Sequence, residues 1–111
     1  MKIAIIGLGI MGKNHYRVLQ NIVGVEIVGL CDPVTEDTFN HALYRDIDEM
    51  LNSVELDAVL IAVPTFLHKE VALKCIDKGL DIFIEKPVAP TVEEGEAILS
   101  AANAKGVKVA V

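Results

Sequence analysis

The hydrophobic positions of this chain fall into short continuous runs separated by amphipathic stretches. Apolar runs lie at 2–6, 25–30, 56–63, 80–84 and 107–111. They are near-continuous rather than alternating, the pattern of strands buried on both faces of a parallel sheet. Between them the spacing switches to that of helices. Over 11–22, Met11, Val18, Leu19 and Ile22 form an inward stripe, with Lys13, Arg17 and Gln20 outward. A short helix over 46–52 opens on Asp46 and Glu49, acids that suit the positive end of a helix. Another, over 66–78, carries Leu67, Val71, Ala72, Cys75 and Ile76 at helical spacing. A fourth opens on Thr91-Val92-Glu93-Glu94, a capping box preceded by Pro90, and runs through Ile98, Leu99 and Ala102 to Lys105. Gly24, Gly79 and Gly106 each stand between a helical stretch and the next strand, where a left-handed cap is favoured.

Alternating strands and helices predict an α/β fold: a doubly wound, mostly parallel sheet in a single domain over 1–111. A short strand near 42–45 completes a set of six in the order 3-2-1-4-5-6. The run 56–63 is the most apolar and belongs at the centre. Ligands of such sheets bind at the switch point, here between the first and fourth strands. The stretch 34–43 leaves room for barely two helical turns, so the usual second helix is short or absent.

Composition narrows the function. Hydrophobic residues make up 52% and charged residues 23%, which excludes a disordered chain. The net charge is −6 and Lys and Arg form no cluster, so nucleic acid is not an expected partner. No apolar run approaches a membrane span, and no A-x-A-like cleavage site follows the N-terminal apolar stretch. A cytoplasmic location is expected. Cys31 and Cys75 sit in apolar runs and read as small buried hydrophobes of a reducing compartment. With His15, His41 and His68 they show no metal-ligand spacing.

One motif carries the chemistry. Gly7-Leu8-Gly9-Ile10-Met11-Gly12 follows the first strand, opens the first helix, and has Asp32 20 residues beyond its last glycine. A bare glycine-rich turn does not need three glycines at that spacing; a dinucleotide-binding turn does. Gly7 permits the tight turn, Gly9 admits a pyrophosphate close to the backbone, and Gly12 lets the helix pack on the strand. The helix N-terminus then receives the phosphates. Leu8, Ile10 and Met11 join the glycines as cofactor contacts, Met11 through its N–H while its side chain packs. Asp32, at a strand end, would accept hydrogen bonds from the adenosine ribose. A 2′-phosphate would meet its charge, and Pro33, Val34 and Thr35 supply no cation, which favours NAD over NADP.

The fifth run ends in Phe83-Ile84-Glu85-Lys86-Pro87 and the fourth in Val63-Pro64-Thr65-Phe66-Leu67-His68, at the same sheet edge as the glycine loop. Together these resemble the glucose-fructose oxidoreductase/inositol dehydrogenase (Gfo/Idh/MocA) family. The matching pieces are Gly7-x-Gly9-x-Met11-Gly12-x-x-His15, Cys31-Asp32-Pro33, Pro64-Thr65-x-x-His68-x-x-x-Ala72 and Gly79-x-x-x-x-x-Glu85-Lys86-Pro87. They cover essentially the whole chain, and Glu-Lys-Pro is the most specific. The stretch after Asp32 is shorter than the family usually has.

The resemblance implies a Rossmann domain of an NAD(P)-dependent oxidoreductase. Such an enzyme moves a hydride between the nicotinamide and a hydroxyl-bearing carbon of a sugar, cyclitol or related polyol. It also implies a second α/β domain, holding the substrate pocket, after Val111, and a cis peptide bond between Lys86 and Pro87. Pro64, Thr65, His68, Glu85 and Lys86 then lie at the cofactor, with Lys86 catalytic. Its ammonium can hydrogen-bond a substrate hydroxyl and stabilise developing alkoxide; otherwise it is a solvated surface lysine. Glu85 either pairs with Lys86, positions it, or is a surface acid. His68 either lines the cofactor site or merely starts a helix. His15 reads as packing or solvated, and His41 carries no functional argument. Two functions follow: an oxidoreductase domain that by itself binds NAD without turnover, or a non-catalytic NAD(H)-binding or sensing module. An apolar face where a second domain would sit favours weak self-association.

Overall fold

The computed structural model describes residues 1–36 and 39–111. Strand β1 (Lys2–Ile6) leads into helix α1 (Ile10–Leu19) and β2 (Glu26–Cys31). The short β3 (Leu43–Tyr44) is followed by α2 (Ile47–Ser53) and β4 (Ala58–Ile61). A 3₁₀ turn, Thr65–Leu67, then opens α3 (His68–Asp77); β5 (Asp81–Ile84), α4 (Val92–Lys105) and β6 (Val109–Ala110) complete the chain. All pairings are parallel, and the six strands lie in the order β3-β2-β1-β4-β5-β6. This is the predicted order, with β4 near the centre.

The register positions the site. Ile6 pairs with Cys31 on one side and Ile61 on the other, and Ile61 pairs with Ile84. The next residue of each strand therefore lies along one edge: Gly7, Asp32, Ala62 and Glu85. Four segments distant in sequence reach one line because the strands end in step.

Two apolar layers hold the sheet. On one face, Met50, Val71, Cys75, Ile76 and Ile98 pack against Ile6, Val59, Ile61, Ile82 and Ile84. On the other, Leu8 and Tyr16 cover Ile5, Leu30 and Leu60. Each buried isoleucine or leucine contributes about 1.5–3 kcal/mol. Thr91 caps α4 as the sequence predicts, its Oγ1 accepting from the Glu94 N–H at 3.1 Å; Asp46, read as a first-turn acid, is the N-cap of α2 and accepts from the Glu49 N–H at 3.1 Å.

Several local expectations are corrected. Helix α1 ends at Leu19, and its buried residues are Gly12 and Tyr16. Met11, Val18 and Ile22, read as an inward stripe, are 51%, 61% and 44% exposed. The cause is Gly12, which presses against the backbone of Gly7 and so decides how the helix is rolled. Tyr16, one turn later, shares that side. On α4, Ile98 and Ala102 are buried while Leu99 is exposed. Gly24 lies in a turn beyond the end of α1 rather than capping it. The strands are generally shorter than the apolar runs, because flanking residues such as Leu56 and Val63 belong to turns that pack on the core. The expected short or absent helix over 34–43 includes residues 37 and 38, which lie outside the described residues; the described residues around them hold no helix.

The α1 face of the sheet is only partly covered. Beside α1 runs an apolar groove of about 430 Å³, lined by Ile3, Val18, Leu19, Leu60, Phe83 and Ala110.

Candidate dinucleotide site

The glycine loop has three different local requirements. Gly7 has φ +96°, and a Cβ there would lie 2.7 Å from the Ala62 carbonyl. A Cβ on Gly12 would lie 1.9 Å from the Gly7 carbonyl oxygen. Neither position tolerates a side chain. A Cβ on Gly9 would meet nothing within 4 Å, so the loop opens onto free space there. Gly9 is also the N-cap of α1 and supplies no side-chain cap, and the first turn of α1 holds no acid. Helices α2 and α4, by contrast, carry both a side-chain cap and acids in their first turns. The positive end of α1 alone of these is left for an outside anion. Ile10 and Met11 stand beside it, 82% and 51% exposed; the side chain of Met11 does not pack as expected.

Asp32 is built into this loop. Its Oδ2 accepts from the Leu8 N–H at 2.7 Å, and its Oδ1 from the N–H groups of Val34 at 2.9 Å and Thr35 at 2.8 Å. Burial works against its charge. The main-chain donors of Thr35, Leu8 and Val34, together with the charge of Arg45, outweigh that and hold the carboxyl below its ordinary 3.8. The residue is only 8% exposed. Asp32 thus ties the glycine turn to the loop after β2 while remaining an anion.

Arg45 was missed at the sequence level. Its Nη1 donates to the Asp32 carbonyl at 3.1 Å and to the Thr35 carbonyl. The sequence neighbours of Asp32 hold no cation, but the fold supplies one from the end of β3. The signal was indirect: Tyr44 pairs with Cys31, so the residue after each meets the other. A hollow of about 240 Å³, lined by Gly7, Cys31, Pro33, Arg45, Val63 and Leu67, lies between the glycine turn and this loop.

At the other end of the edge, Lys86 is exposed, and its peptide bond to Pro87 is cis, as expected. Lys86 makes no hydrogen bond or ion pair among the described residues. Glu85 pairs not with Lys86 but with His15 Nε2, reaching across 70 residues of sequence to α1. His15, read as packing or solvated, also meets the Phe83 ring edge-on at 6.0 Å between centroids. His68 is 1% exposed. Its Nδ1 lies 3.0 Å from the Val88 carbonyl oxygen and its Nε2 2.9 Å from that of Val63. Both ring nitrogens are engaged by backbone, so His68 braces the turn after β4 against the turn after Pro87. Pro64 is exposed and Thr65 half-buried in the 3₁₀ turn beside it. His41 is no bystander either: its Nε2 lies 3.0 Å from the Tyr16 hydroxyl. Cys31 and Cys75 are buried, as expected. Among the described residues no cluster could hold a metal ion, and no helix is long and apolar enough to cross a membrane.

Known proteins resemble this chain in sequence and share its fold. A family model described as "Oxidoreductase family, NAD-binding Rossmann fold" matches residues 1–111. An inositol 2-dehydrogenase of Pseudarthrobacter chlorophenolicus is 36% identical over 116 aligned positions, covering 97% of this chain and 34% of the relative. The crystal structure of myo-inositol 2-dehydrogenase from Lactobacillus plantarum superposes with a TM-score of 0.89 at 28% identity, covering 98% of this chain and 35% of that one. The WlbA dehydrogenase of Bordetella pertussis, solved in complex with NADH and UDP-GlcNAcA, does so with a TM-score of 0.90 at 26% identity, covering 97% and 35%. This chain thus spans about a third of the length of the relatives it matches. With the glycine turn, its open Gly9 and the Glu-Lys-Pro turn on one sheet edge, residues 1–111 belong to the oxidoreductase family with an NAD-binding Rossmann fold, the glucose-fructose oxidoreductase/inositol dehydrogenase family.

Proposed function

We propose that this chain is the part of an NAD-dependent dehydrogenase that holds the cofactor and presents Lys86 to a hydroxyl-bearing carbon of a sugar, cyclitol or related polyol. The observation that carries the proposal is the uncapped, acid-free start of α1 above an unobstructed Gly9. Those N–H groups would take the pyrophosphate. The hollow beside Pro33 and Leu67 would take the adenine end, with the ribose against the loop that Asp32 organises. Bound nicotinamide supplies the hydride acceptor or donor, and the protein supplies position and electrostatics.

On this reading Lys86 hydrogen-bonds the reacting hydroxyl through its ammonium and stabilises negative charge developing on oxygen. Glu85 and His68 act behind it, one held by His15 and the other fixing the backbone on either side. Pro64 and Thr65 border the cofactor. We assign the opposite wall of the substrate pocket to sequence outside the fold described here, as the threefold greater length of the relatives suggests. Cofactor binding is then separable from turnover.

Asp32 keeps its charge and disfavours a 2′-phosphate, while Arg45 partly offsets it. Titration calorimetry of this chain should therefore show tighter binding of NAD and NADH than of NADP, with a modest gap. Equal affinities, or no heat with any of them, would refute the assignment. A polyol panel at saturating NAD should show no sustained reduction; turnover dependent on Lys86 would show the chain to be a complete catalyst.

A further inference from the structure

We propose that His15 is a positioning residue: by holding the Glu85 carboxylate against α1, it keeps that carboxylate from pairing with Lys86. This rests on the reading of Lys86 as the group that meets substrate. Three observations support it. Glu85 and Lys86 are neighbours in sequence just beyond the end of β5, with Lys86 already in a bend, so strand alternation alone does not hold their side chains apart. Yet the Glu85 side chain is engaged with His15 Nε2, and Lys86 has no partner among the described residues. Finally, His15 is itself set by its edge-on contact with Phe83.

The strand geometry explains why the arrangement works. Successive residues of a strand point to opposite faces. Ile84 faces the layer under α3 and α4, whereas Phe83 lies along the groove beside α1. Glu85, continuing that alternation, reaches His15 on the α1 side. The Glu85 N–H still donates to the Ile61 carbonyl at 3.3 Å, so its backbone remains in the ladder while the next residue turns away. The His15 and Glu85 side chains are 24% and 27% exposed, so the pair is shielded enough to persist and open enough for its loss to be felt. The other imidazole near this turn, His68, has both ring nitrogens on main-chain carbonyls and does not compete for Glu85.

What this does for chemistry is specific. An ammonium already paired with a neighbouring carboxylate donates less effectively to a substrate oxygen and holds its proton more tightly. A free ammonium is available to the reacting hydroxyl. His15 therefore acts on Lys86 only through Glu85.

The test follows labelling of Lys86 by an amine-reactive ester at neutral pH, read by peptide mass spectrometry, together with the His15 ring signals in NMR spectra of this chain. In His15→Asn, released Glu85 should pair with the Lys86 ammonium and slow its labelling severalfold. In the double variant His15→Asn/Glu85→Gln the parent rate should return. Glu85→Gln alone should leave Lys86 labelling unchanged and move the His15 ring Nε2 signal, because its partner is lost. Unchanged labelling in His15→Asn, or slowing that survives in the double variant, would overturn the proposal. If His15→Asn does not fold, the His15 ring signal in Glu85→Gln decides: an unmoved signal shows that the pair is not formed in solution and overturns it equally. NADH titration of the unmodified chain runs in parallel. Its failure would sink the dinucleotide reading, whereas the labelling and ring signals judge His15 regardless.

Discussion

Replacing Asp32 by Asn tests whether this residue is a structural anion or only a contact for ribose. Both carboxylate oxygens are in use, Oδ2 by the Leu8 N–H and Oδ1 by those of Val34 and Thr35. An amide has one oxygen. Whichever way it turns, its NH₂ group faces a donor on one side. If it faces Leu8, a buried residue, that N–H has no route to water. An unsatisfied buried donor costs about 1–3 kcal/mol. If it faces Val34 and Thr35, two N–H groups lose an ionised acceptor, but in an exposed loop where water can replace it. The lower-cost arrangement still loses the charge that strengthens all of these bonds, each worth roughly 1.5–3 kcal/mol when the acceptor is ionised. We expect a net loss of about 2 kcal/mol at neutral pH. With an unfolding entropy of about 2.1 cal/mol/K per residue over the 111 residues, Tm falls by roughly 9 °C. The pH dependence carries the stronger test. The native carboxyl lies below the ordinary 3.8. Its stabilising contribution is therefore fully present above that value and is lost as pH falls through the lower native one. Asn does not titrate, so the urea midpoints of the two proteins, followed by circular dichroism, should converge in acid. A variant within 0.5 kcal/mol of the parent at pH 7, or a gap that does not close in acid, would refute the account.

Other expectations follow from single contacts. Gly12→Ala places a Cβ 1.9 Å from the Gly7 carbonyl oxygen. Gly7 is itself wedged against Ala62, so overpacking should cost at least the usual 1–3 kcal/mol and weaken NADH binding; an unshifted urea midpoint would contradict this. Burial, with lesser help from Asp46, Asp32 and Glu49, pushes the Cys31 thiol up to about 11, and burial pushes Cys75 up to about 12. Neither should react with an aromatic disulfide reagent at pH 8 in the native state, and both should in urea. Because native thiols keep protons that unfolded ones lose near 9.0, stability should also decline from pH 9 towards about 11. Lys86→Met removes a partnerless exposed side chain and should leave Tm unchanged; a marked drop would mean that the ammonium is tied into the fold.

The sequence by itself determined the architecture and one end of the site. Near-continuous apolar runs separated by helical spacing specify a parallel sheet covered by helices, and the six strands take the expected order. The glycine spacing was legible because Gly7 and Gly12 answer steric demands that no other residue meets, the positive φ at one and the close approach at the other, while a Cβ at Gly9 would meet nothing within 4 Å. Thr91 was legible as a cap because capping is local, decided within three residues. What the sequence could not decide is what faces what across the sheet. The roll of α1 is settled by the Gly12–Gly7 contact, so Tyr16 is buried and Val18 is not, although periodicity favours the reverse. Glu85 meets His15 rather than adjacent Lys86, Arg45 reaches the loop of Asp32, and His68 spends both nitrogens on backbone. These pairings join residues 70, 13, 20 and 5 positions apart. Local pattern reports a residue's preference for helix, strand or interior. Strand register and helix roll, which only the packed sheet sets, report its partner, and at this site the partner decides whether a charge is spent or free.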